Sequence, residues 1–295
     1  MQRKTIEKTI KTKMTEWLNT ITDEKLRDRV KDELLVSGGS ITSLFLNEQV
    51  NDYDVYIKTV KTAKDLAKYY VKAFPVQVFS YEDRETELAK YTEVDDEYRG
   101  IRKIFFENIK PEQVKLYPEE LSGYKTSFED TGELKYLPMF FSPNAISLTD
   151  NVQIVLRFTG DNEAIHKTFD FIHATNYFTF EKGLVTNIAA LESILSKQLK
   201  YQGSLYPLTS VIRTKKFLKR NWNISAGEYL KMLFQCSELD LTDFNTLEDQ
   251  LIGVDVAYFG VLIDTLRNKQ EKDSSFKLTS EYLNTLIDKI FNETE

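Results

Sequence analysis

The sequence predicts an α+β domain built on a mixed sheet, followed by a domain made only of helices. Three observations lead to this fold class. Apolar residues recur at helical spacing in residues 3–19 and 23–33. Short apolar stretches separated by turn residues then indicate strands between residues 34 and 180. After about residue 184 only the helical pattern recurs, and it continues to the end of the 295-residue chain.

The first part of the chain is a helical lead-in over residues 1–33, in which Thr22–Asp23 is a start signal for the second helix. A short apolar strand follows and leads directly into a turn that contains two glycines. Helical and strand patterns then alternate. The predicted elements are a strand over 34–36, a short helix over 41–47, a strand over 52–58, a helix over 62–74 and a strand over 75–80.

The middle of the chain is less regular. Residues 81–100 are acidic and poor in large aliphatic side chains, so we expect an exposed loop or insertion there. Residues 101–108 favour a strand, and residues 110–135 have no strong period. A clear β-region follows, with strands expected at 140–141, 145–148, 152–158 and 168–180 and one helical turn at 161–167.

A domain boundary is expected near Lys182–Gly183, because the pattern beyond it is helical. The chain then divides into a lead-in at 1–33, an α+β domain at 34–182 and a helical domain at 183–295. The expected helices of the last domain are 186–199, 207–221, 225–238, 244–252, 254–270 and 279–293.

Charge and composition exclude several classes of protein. A net charge of −7 leaves no general basic field for nucleic acid. One cysteine excludes an intramolecular disulfide and a cysteine-rich zinc site, and two histidines leave little for histidine-based metal chemistry. The N-terminus is basic without the apolar stretch of a secretory signal, and no apolar run approaches the ~20 residues of a membrane span. We therefore expect a cytoplasmic protein without a membrane partner.

The turn Gly38–Gly39–Ser40 lies between a predicted strand and a predicted helix. Glycines let the backbone approach a ligand closely, and the amides at the start of a helix attract an anion. Ser40 is expected to cap the helix or to donate to a phosphate. Many strand-to-helix turns contain two glycines for structural reasons alone, so the turn by itself does not decide between the two interpretations.

Asp52 and Asp54 lie on the following strand, with Tyr53 between them. Residues two apart in a strand point to the same face, so the two carboxylates are aimed together and Tyr53 points the other way. Their mutual repulsion would be relieved by a divalent cation such as magnesium, which binds carboxylate and phosphate oxygens. The alternative is a solvated edge of the sheet.

Asp170 is the third candidate metal ligand, because it stands between two phenylalanines on a predicted strand, where an unpartnered carboxylate is costly. A shared metal is one partner for it. The alternative is a bond to the backbone or to an arginine, for which Arg157 on the preceding strand is a candidate.

A basic helix follows later in the chain. Arg213, Lys216 and Arg220 share one face at helical spacing, and we expect them, together with Arg157, to contact the phosphates of a nucleotide or a nucleic-acid backbone. The alternative for the basic helix is a solvated face that is paired with acidic residues.

The turn, the D-x-D strand about a dozen residues later and the distant apolar-Asp-apolar stretch together resemble the nucleotidyltransferase superfamily typified by DNA polymerase beta, which includes the CCA-adding enzymes. The resemblance covers roughly residues 34–58 and 152–175. It implies a polymerase-beta-like fold that binds a nucleoside triphosphate and two Mg²⁺ ions. The matching residues are Gly38, Gly39 and Ser40 for the nucleotide and Asp52, Asp54 and Asp170 for the metal and catalysis. The long gap before Asp170 departs from the pattern and requires an insertion.

Two longer stretches, 140–178 and 200–233, resemble segments of nucleotidyltransferase-like proteins from phages and large viruses, which implies a phage origin. The leading hypothesis is a magnesium-dependent nucleotidyltransferase. It would move a nucleoside monophosphate from a triphosphate to a hydroxyl of RNA, a protein or a small molecule, chiefly by positioning and charge neutralisation. We expect it in the bacterial host cytoplasm, and association with virion components is left open.

Two other functions remain open. A phage could retain the fold as a non-catalytic virion or host-interaction protein whose C-terminal helices form the binding surface. Alternatively, the basic helix could serve a nucleic-acid-binding module, which would show steep salt dependence without nucleotide turnover.

Overall fold

The computed structural model describes residues 2–73, 135–141, 144–251, 256–273 and 276–292. The strands predicted at 75–80 and 101–108 and the acidic stretch 81–100 lie outside the described residues. The chain divides into two compact units. The first is Met1–Lys167 with His173–Ile194, and the second is Thr168–Ile172 with Leu195–Glu295. The division thus falls at other residues than the expected boundary near Lys182–Gly183.

The described residues of the first unit form a seven-stranded mixed sheet with the order β3-β4-β5-β2-β1-β6-β7. The pair β2–β5 is parallel and the other neighbours are antiparallel, so the predicted mixed sheet and α+β class are confirmed. The strands are β1 Leu34–Ser37, β2 Tyr53–Ile57, β3 Pro138–Phe141, β4 Ala145–Leu148, β5 Val152–Thr159, β6 Tyr177–Thr179 and β7 Gly183–Val185.

Helices of the first unit lie close to the predicted bounds. Asp23 accepts a hydrogen bond from the amide of Leu26 and caps the second helix, as the start signal indicated. The helices are α1 Arg3–Asn19, α2 Glu24–Glu33, α3 Gly39–Leu46, α4 Val60–Ala73, α5 Asn162–His166 and α6 Ile188–Ser196.

The lead-in helix α1 is part of the main core and not an appendage. Its residues Ile6, Ile10, Met14 and Trp17 are fully buried in the same cluster as the sheet residues. Burial of side chains of this size contributes roughly 1.5–3 kcal/mol each. The indole Nε1 of Trp17 also donates to the hydroxyl of Tyr70 on α4 at 2.8 Å, which satisfies a buried donor.

The sheet has two different faces. Val55, Ile57 and Ile154 belong to the core cluster, together with Tyr53. Their strand neighbours point to the opposite face because side chains alternate along a strand. Asp54 on that opposite face is half-buried. This second face of the sheet carries the candidate site.

The second unit has its own core of leucines and isoleucines, and its helical character is confirmed. A short parallel pair, β8 Gln198–Leu199 and β9 Asn223–Ile224, accompanies the helices. The helices are α7 Pro207–Leu218, α8 Ala226–Ser237, α9 Phe244–Leu251, α10 Val256–Lys272 and α11 Ser280–Asn292. Within the described ranges, no helix combines the length and apolar composition that crossing a membrane requires.

The strand predicted over 168–180 is wrong over most of its length. Only β6 is a strand, and Ile172–Ala174 forms a short 3-10 helix. The backbone before β6 bonds instead to distant segments, with the amide of Gln202 donating to the carbonyl of Asp170 and the amide of Ile172 donating to that of Lys200. These hydrogen bonds to distant residues determine the backbone conformation of the segment, although its local sequence pattern favours a strand.

Candidate functional site

The predicted turn lies at the end of β1, where the backbone changes direction at Gly38. Gly38 has φ +95° and ψ −152°, a conformation that is essentially restricted to glycine. Its amide donates to the carbonyl of Ala174 at 3.1 Å, and α3 begins at the next residue. The prediction of Ser40 as helix cap is wrong, because Gly38 occupies the cap position and Ser40 lies inside the helix.

The carboxylate of Asp54 lies directly against this turn. A Cβ atom on Gly38 would come within 3.0 Å of the Asp54 Oδ2 atom, whereas a Cβ on Gly39 would meet no described atom within 4 Å. The close approach of carboxylate and turn therefore depends on the missing side chain of residue 38. The structure thus brings together two features, Gly38 and Asp54, that are 16 positions apart in the sequence.

Ser40 is buried beside the turn in an unusual state. Only 2% of the residue is exposed, and its hydroxyl has no hydrogen-bond partner among the described residues. Buried polar groups are nearly always hydrogen-bonded, and an unmade bond costs about 1–3 kcal/mol. A ligand oxygen at the start of α3 would satisfy this hydroxyl.

Within the D-x-D segment, Tyr53 and Asp54 lie on the opposite faces of the sheet that the alternation predicts. Tyr53 packs into the core cluster, and Asp54 points to the opposite face and is partly buried. Asp52 precedes β2 and is exposed. Burial raises the pKa of the Tyr53 hydroxyl, as expected for a residue in the core.

Asp54 belongs to a row of polar side chains that crosses five strands, which we call the polar row. In the strand register, Ser147 stands beside Gln153, Gln153 beside Asp54, Asp54 beside Ser37 and Ser37 beside Tyr177. Gln153 donates from Nε2 to the hydroxyl of Ser147 at 3.2 Å. Sequence reasoning missed Gln153 and Ser37 because only the strand register places them next to Asp54.

His166 completes one end of the polar row. Its Nε2 atom lies 3.0 Å from the Ser37 hydroxyl, and its ring packs edge-on against Tyr177. Desolvation lowers the pKa of His166 from 6.5 to about 4, so the ring is neutral near pH 7. The sequence had given no reason to connect His166 with the turn, because 129 positions separate it from Ser37.

The lowered pKa of His166 predicts a pH dependence of stability. Folding disfavours the protonated ring, so the free energy of unfolding is highest above about pH 6.5 and falls as the pH drops toward 4. Chemical denaturation at several pH values measures this fall. His166→Gln should reduce the fall over that window, because the variant has nothing to protonate there. If the free energy of unfolding depends on pH in the same way in wild type and variant, the lowered pKa of His166 is contradicted.

Asp170 lies in the second unit and is only 6% exposed. Its Oδ2 atom is 2.6 Å from Nη1 of Arg213, and its Oδ1 accepts from the hydroxyl of Ser204 at 3.0 Å. An arginine bond was the predicted alternative to a metal, but Arg213 takes the place expected of Arg157. Arg213 itself was expected to contact a nucleotide, and it is engaged in this ion pair.

The remaining predicted contacts lie in different places. Arg157 is on β5, on the same face as Gln153, with its guanidinium carbon 5.5 Å from the ring centre of Phe158. Lys216 is exposed on α7. Arg220 lies beyond the end of α7 at Leu218, so the predicted basic face of Arg213, Lys216 and Arg220 does not form on a continuous helix.

Comparison with solved structures finds similarity to enzymes that act on tRNA. A Thermotoga maritima CCA-adding enzyme complexed with tRNA is 12% identical with a TM-score of 0.37, and the match covers 76% of this chain and 45% of that chain. A tRNA-processing enzyme with CTP is 14% identical with a TM-score of 0.37, and that match covers 85% of this chain and 57% of that chain. Overlaps of this size carry no argument about activity.

Comparison with protein families is more direct. A relative named Gabija anti-defense 2, from Bacillus phage SPbetaL7, is 23% identical over 273 residues, which make up 92% of this chain and 52% of that protein. The chain thus spans about half the length of this curated relative. The model of the Gabija anti-defense 2 family matches residues 8–197, which include every described strand of the sheet, the turn and the D-x-D segment. The chain belongs to the Gabija anti-defense 2 family.

Proposed function

We propose that this protein is a metal-dependent nucleotidyltransferase that moves a nucleoside monophosphate from a triphosphate to a hydroxyl acceptor. The observation that carries the proposal is the approach of the Asp54 carboxylate to Gly38, where a Cβ would lie 3.0 Å from Oδ2. A metal-binding carboxylate and a phosphate-binding turn must be adjacent for the metal to bridge to the phosphates.

In this proposal the turn holds the phosphates of the nucleotide. The first amides of α3 have no partner within the helix, and they attract an anion together with the helix dipole. The amide of Gly38 is engaged by the carbonyl of Ala174, which leaves the amides of Gly39 and Ser40 for the ligand. The buried hydroxyl of Ser40 supplies a further donor.

Asp52 and Asp54 are the proposed metal ligands. Magnesium is commonly held by one or two carboxylates together with substrate phosphates, and Asp54 on β2 with Asp52 just before the strand would supply them. The described part of the chain has no group of three Asp, Glu, His or Cys side chains placed to hold a metal. When bound, Mg²⁺ would neutralise the phosphates and the developing charge during transfer.

We assign Asp170 to the folding of the second unit, although the sequence had placed it in the metal site. Its carboxylate is engaged on both oxygens, by Arg213 and by Ser204. A carboxylate bonded in this way satisfies its own burial without a metal.

The acceptor is proposed from the family. The relative's name assigns it to anti-defence against Gabija, and that relative is a phage protein. We propose that transfer to a hydroxyl of RNA, a protein or a small molecule in the infected cell serves the same purpose for this chain. The name does not distinguish among these three acceptors.

A non-catalytic binding protein is the second candidate. One observation favours it, which is an exposed apolar face on α8. The exposed fractions of Leu230, Leu233 and Phe234 are 53%, 55% and 71%. Exposed apolar patches of this kind mark protein interaction surfaces. Such a protein would bind its partner without consuming nucleotide.

Incubation with each labelled nucleoside triphosphate, Mg²⁺ and host RNA or lysate tests the proposal. We expect incorporation of label by wild type and its loss in Asp52→Ala/Asp54→Ala. Asp28→Ala/Asp32→Ala is the matched control, because it removes two exposed carboxylates from α2 and leaves the site intact. Incorporation that survives the first double substitution, or no incorporation with any nucleotide, contradicts the proposal.

A further inference from the structure

We propose that Ser37 and His166 are positioning residues that fix the phosphate-binding turn against residues 173–176. This inference rests on the proposed function, because it names what sets the geometry of the same site. The residues 173–176 precede β6 and are called here the backing segment. Neither Ser37 nor His166 is proposed as a metal ligand or as a direct phosphate contact.

Ser37 is the centre of the connection. It is fully buried, and its hydroxyl lies 2.8 Å from the carbonyl of Asn176, 3.2 Å from that of Ala174 and 3.0 Å from His166 Nε2. A hydroxyl has one proton to donate and two lone pairs to accept. When it donates to the backing segment, His166 must donate to it. The geometry therefore assigns the Nε2–H form to the neutral His166 ring.

The backing segment holds the turn on both sides of Gly38. The amide of Gly38 donates to the carbonyl of Ala174 at 3.1 Å, and the hydroxyl of Thr42 donates to the backbone carbonyl of His173 at 3.0 Å. Ser37, Gly38 and Thr42 are thus bonded to backbone carbonyls at positions 173, 174 and 176. These bonds select one conformation of Gly38 among the many that a glycine can adopt.

This arrangement has a consequence for the ligand. Because Gly38 is fixed by Ala174, its φ and ψ set the direction of the amides that follow at the start of α3. The same fixed Gly38 leaves room for the Asp54 carboxylate, whose Oδ2 would lie 3.0 Å from a Cβ. Loss of the Ser37–His166 bond is therefore expected to weaken nucleotide binding even though neither residue contacts the nucleotide.

The backing segment also contains a buried side-chain amide, that of Asn176. The residue is fully buried, its Oδ1 accepts from the amide of Asn187, and its Nδ2 has no hydrogen-bond partner among the described residues. An unused buried donor of this kind is costly, as is the unused Ser40 hydroxyl in α3. Buried polar atoms without a hydrogen-bond partner among the described residues thus occur both in α3 and in the backing segment.

The test compares Ser37→Ala, His166→Leu, the double variant and His166→Gln by two measurements on the full chain. The first is the Kd for Mg²⁺ with a nucleoside triphosphate, taken on protein shown to be folded. The second is hydrogen exchange of the Gly38 amide. Loss of one hydrogen bond is worth about a tenfold change. Ser237→Ala, which removes an exposed serine-to-backbone bond on α8, is the control.

We expect Ser37→Ala and His166→Leu each to raise the Kd about tenfold and to speed exchange at Gly38 by a similar factor. The double variant should be no worse than Ser37→Ala, because that substitution already removes the bond to His166. His166→Gln keeps an N–H donor and should stay near wild type. Altered global stability with unchanged Gly38 exchange would overturn the inference. A wild type that binds no nucleotide would overturn the proposed function, and the exchange measurement still decides on positioning.

Discussion

Gly38→Ala is expected to lower affinity for a nucleoside triphosphate by at least about a hundredfold and to cost about 2–4 kcal/mol of stability. Two effects add. The φ of +95° and ψ of −152° are strained for any residue with a Cβ. The added methyl would also lie 3.0 Å from Asp54 Oδ2, so the carboxylate or the turn must move. Either movement separates the proposed metal ligand from the proposed phosphate site.

Gly39→Ala is the matched control, because the substitution is the same one residue later. A Cβ on Gly39 would meet no described atom within 4 Å, and the residue starts helix α3. Its effect on stability should stay within about 1 kcal/mol, with stabilisation as the expected sign. Calorimetric titration and chemical denaturation of both variants measure the contrast. Equal losses of affinity and stability in the two variants would show that the contact between Gly38 and Asp54 is unimportant.

Arg213→Ala is expected to destabilise the second unit by about 2–3 kcal/mol. The substitution leaves the carboxylate of Asp170, only 6% exposed, with the Ser204 hydroxyl as its remaining side-chain donor. The expected cost is below that of a fully buried pair, because the Arg213 side chain is 41% exposed. Denaturation followed by ¹⁹F resonances of fluorinated tryptophan can distinguish the units, because Trp17 lies in the first and Trp222 in the second.

Arg267→Ala provides the comparison for this prediction. Arg267 pairs with Glu248 in the same unit, but their side chains are 30% and 32% exposed, so the loss should be about 0–1 kcal/mol. Asp170→Asn should also destabilise the second unit, while label incorporation per folded molecule stays near wild type. Abolished incorporation in a stable Asp170→Asn protein would return Asp170 to the role of metal ligand.

Local patterns were sufficient for most elements of the fold. The helices of both units and strands β1, β2, β4 and β5 lie within a few residues of the positions that periodicity and start signals predicted. The segment around Asp170 was predicted wrongly, because its bonds go to residues 200–213, and no local pattern reports such partners.

The candidate site was predictable only where its residues form local patterns. Gly38, Gly39, Asp52 and Asp54 were recognisable because they lie in two short stretches with distinctive residue types. Gln153, Ser37 and His166 were not, because their position beside Asp54 or the turn depends on strand register and on contacts across more than a hundred residues. The ion pair of Asp170 with Arg213 was not predictable either, because 43 positions separate the two residues.

The most direct test of the central claim is nucleotide binding to wild type and to Asp54→Asn, measured with Mg²⁺ and with a chelator. Asparagine keeps the shape of the side chain beside Gly38 and removes the charge that would hold the metal. We predict saturable binding by wild type that requires Mg²⁺ and is weakened at least about tenfold in Asp54→Asn, with Asp28→Asn unchanged. Equal binding by wild type and Asp54→Asn, or binding that is indifferent to Mg²⁺, would contradict a metal-nucleotide site at the turn.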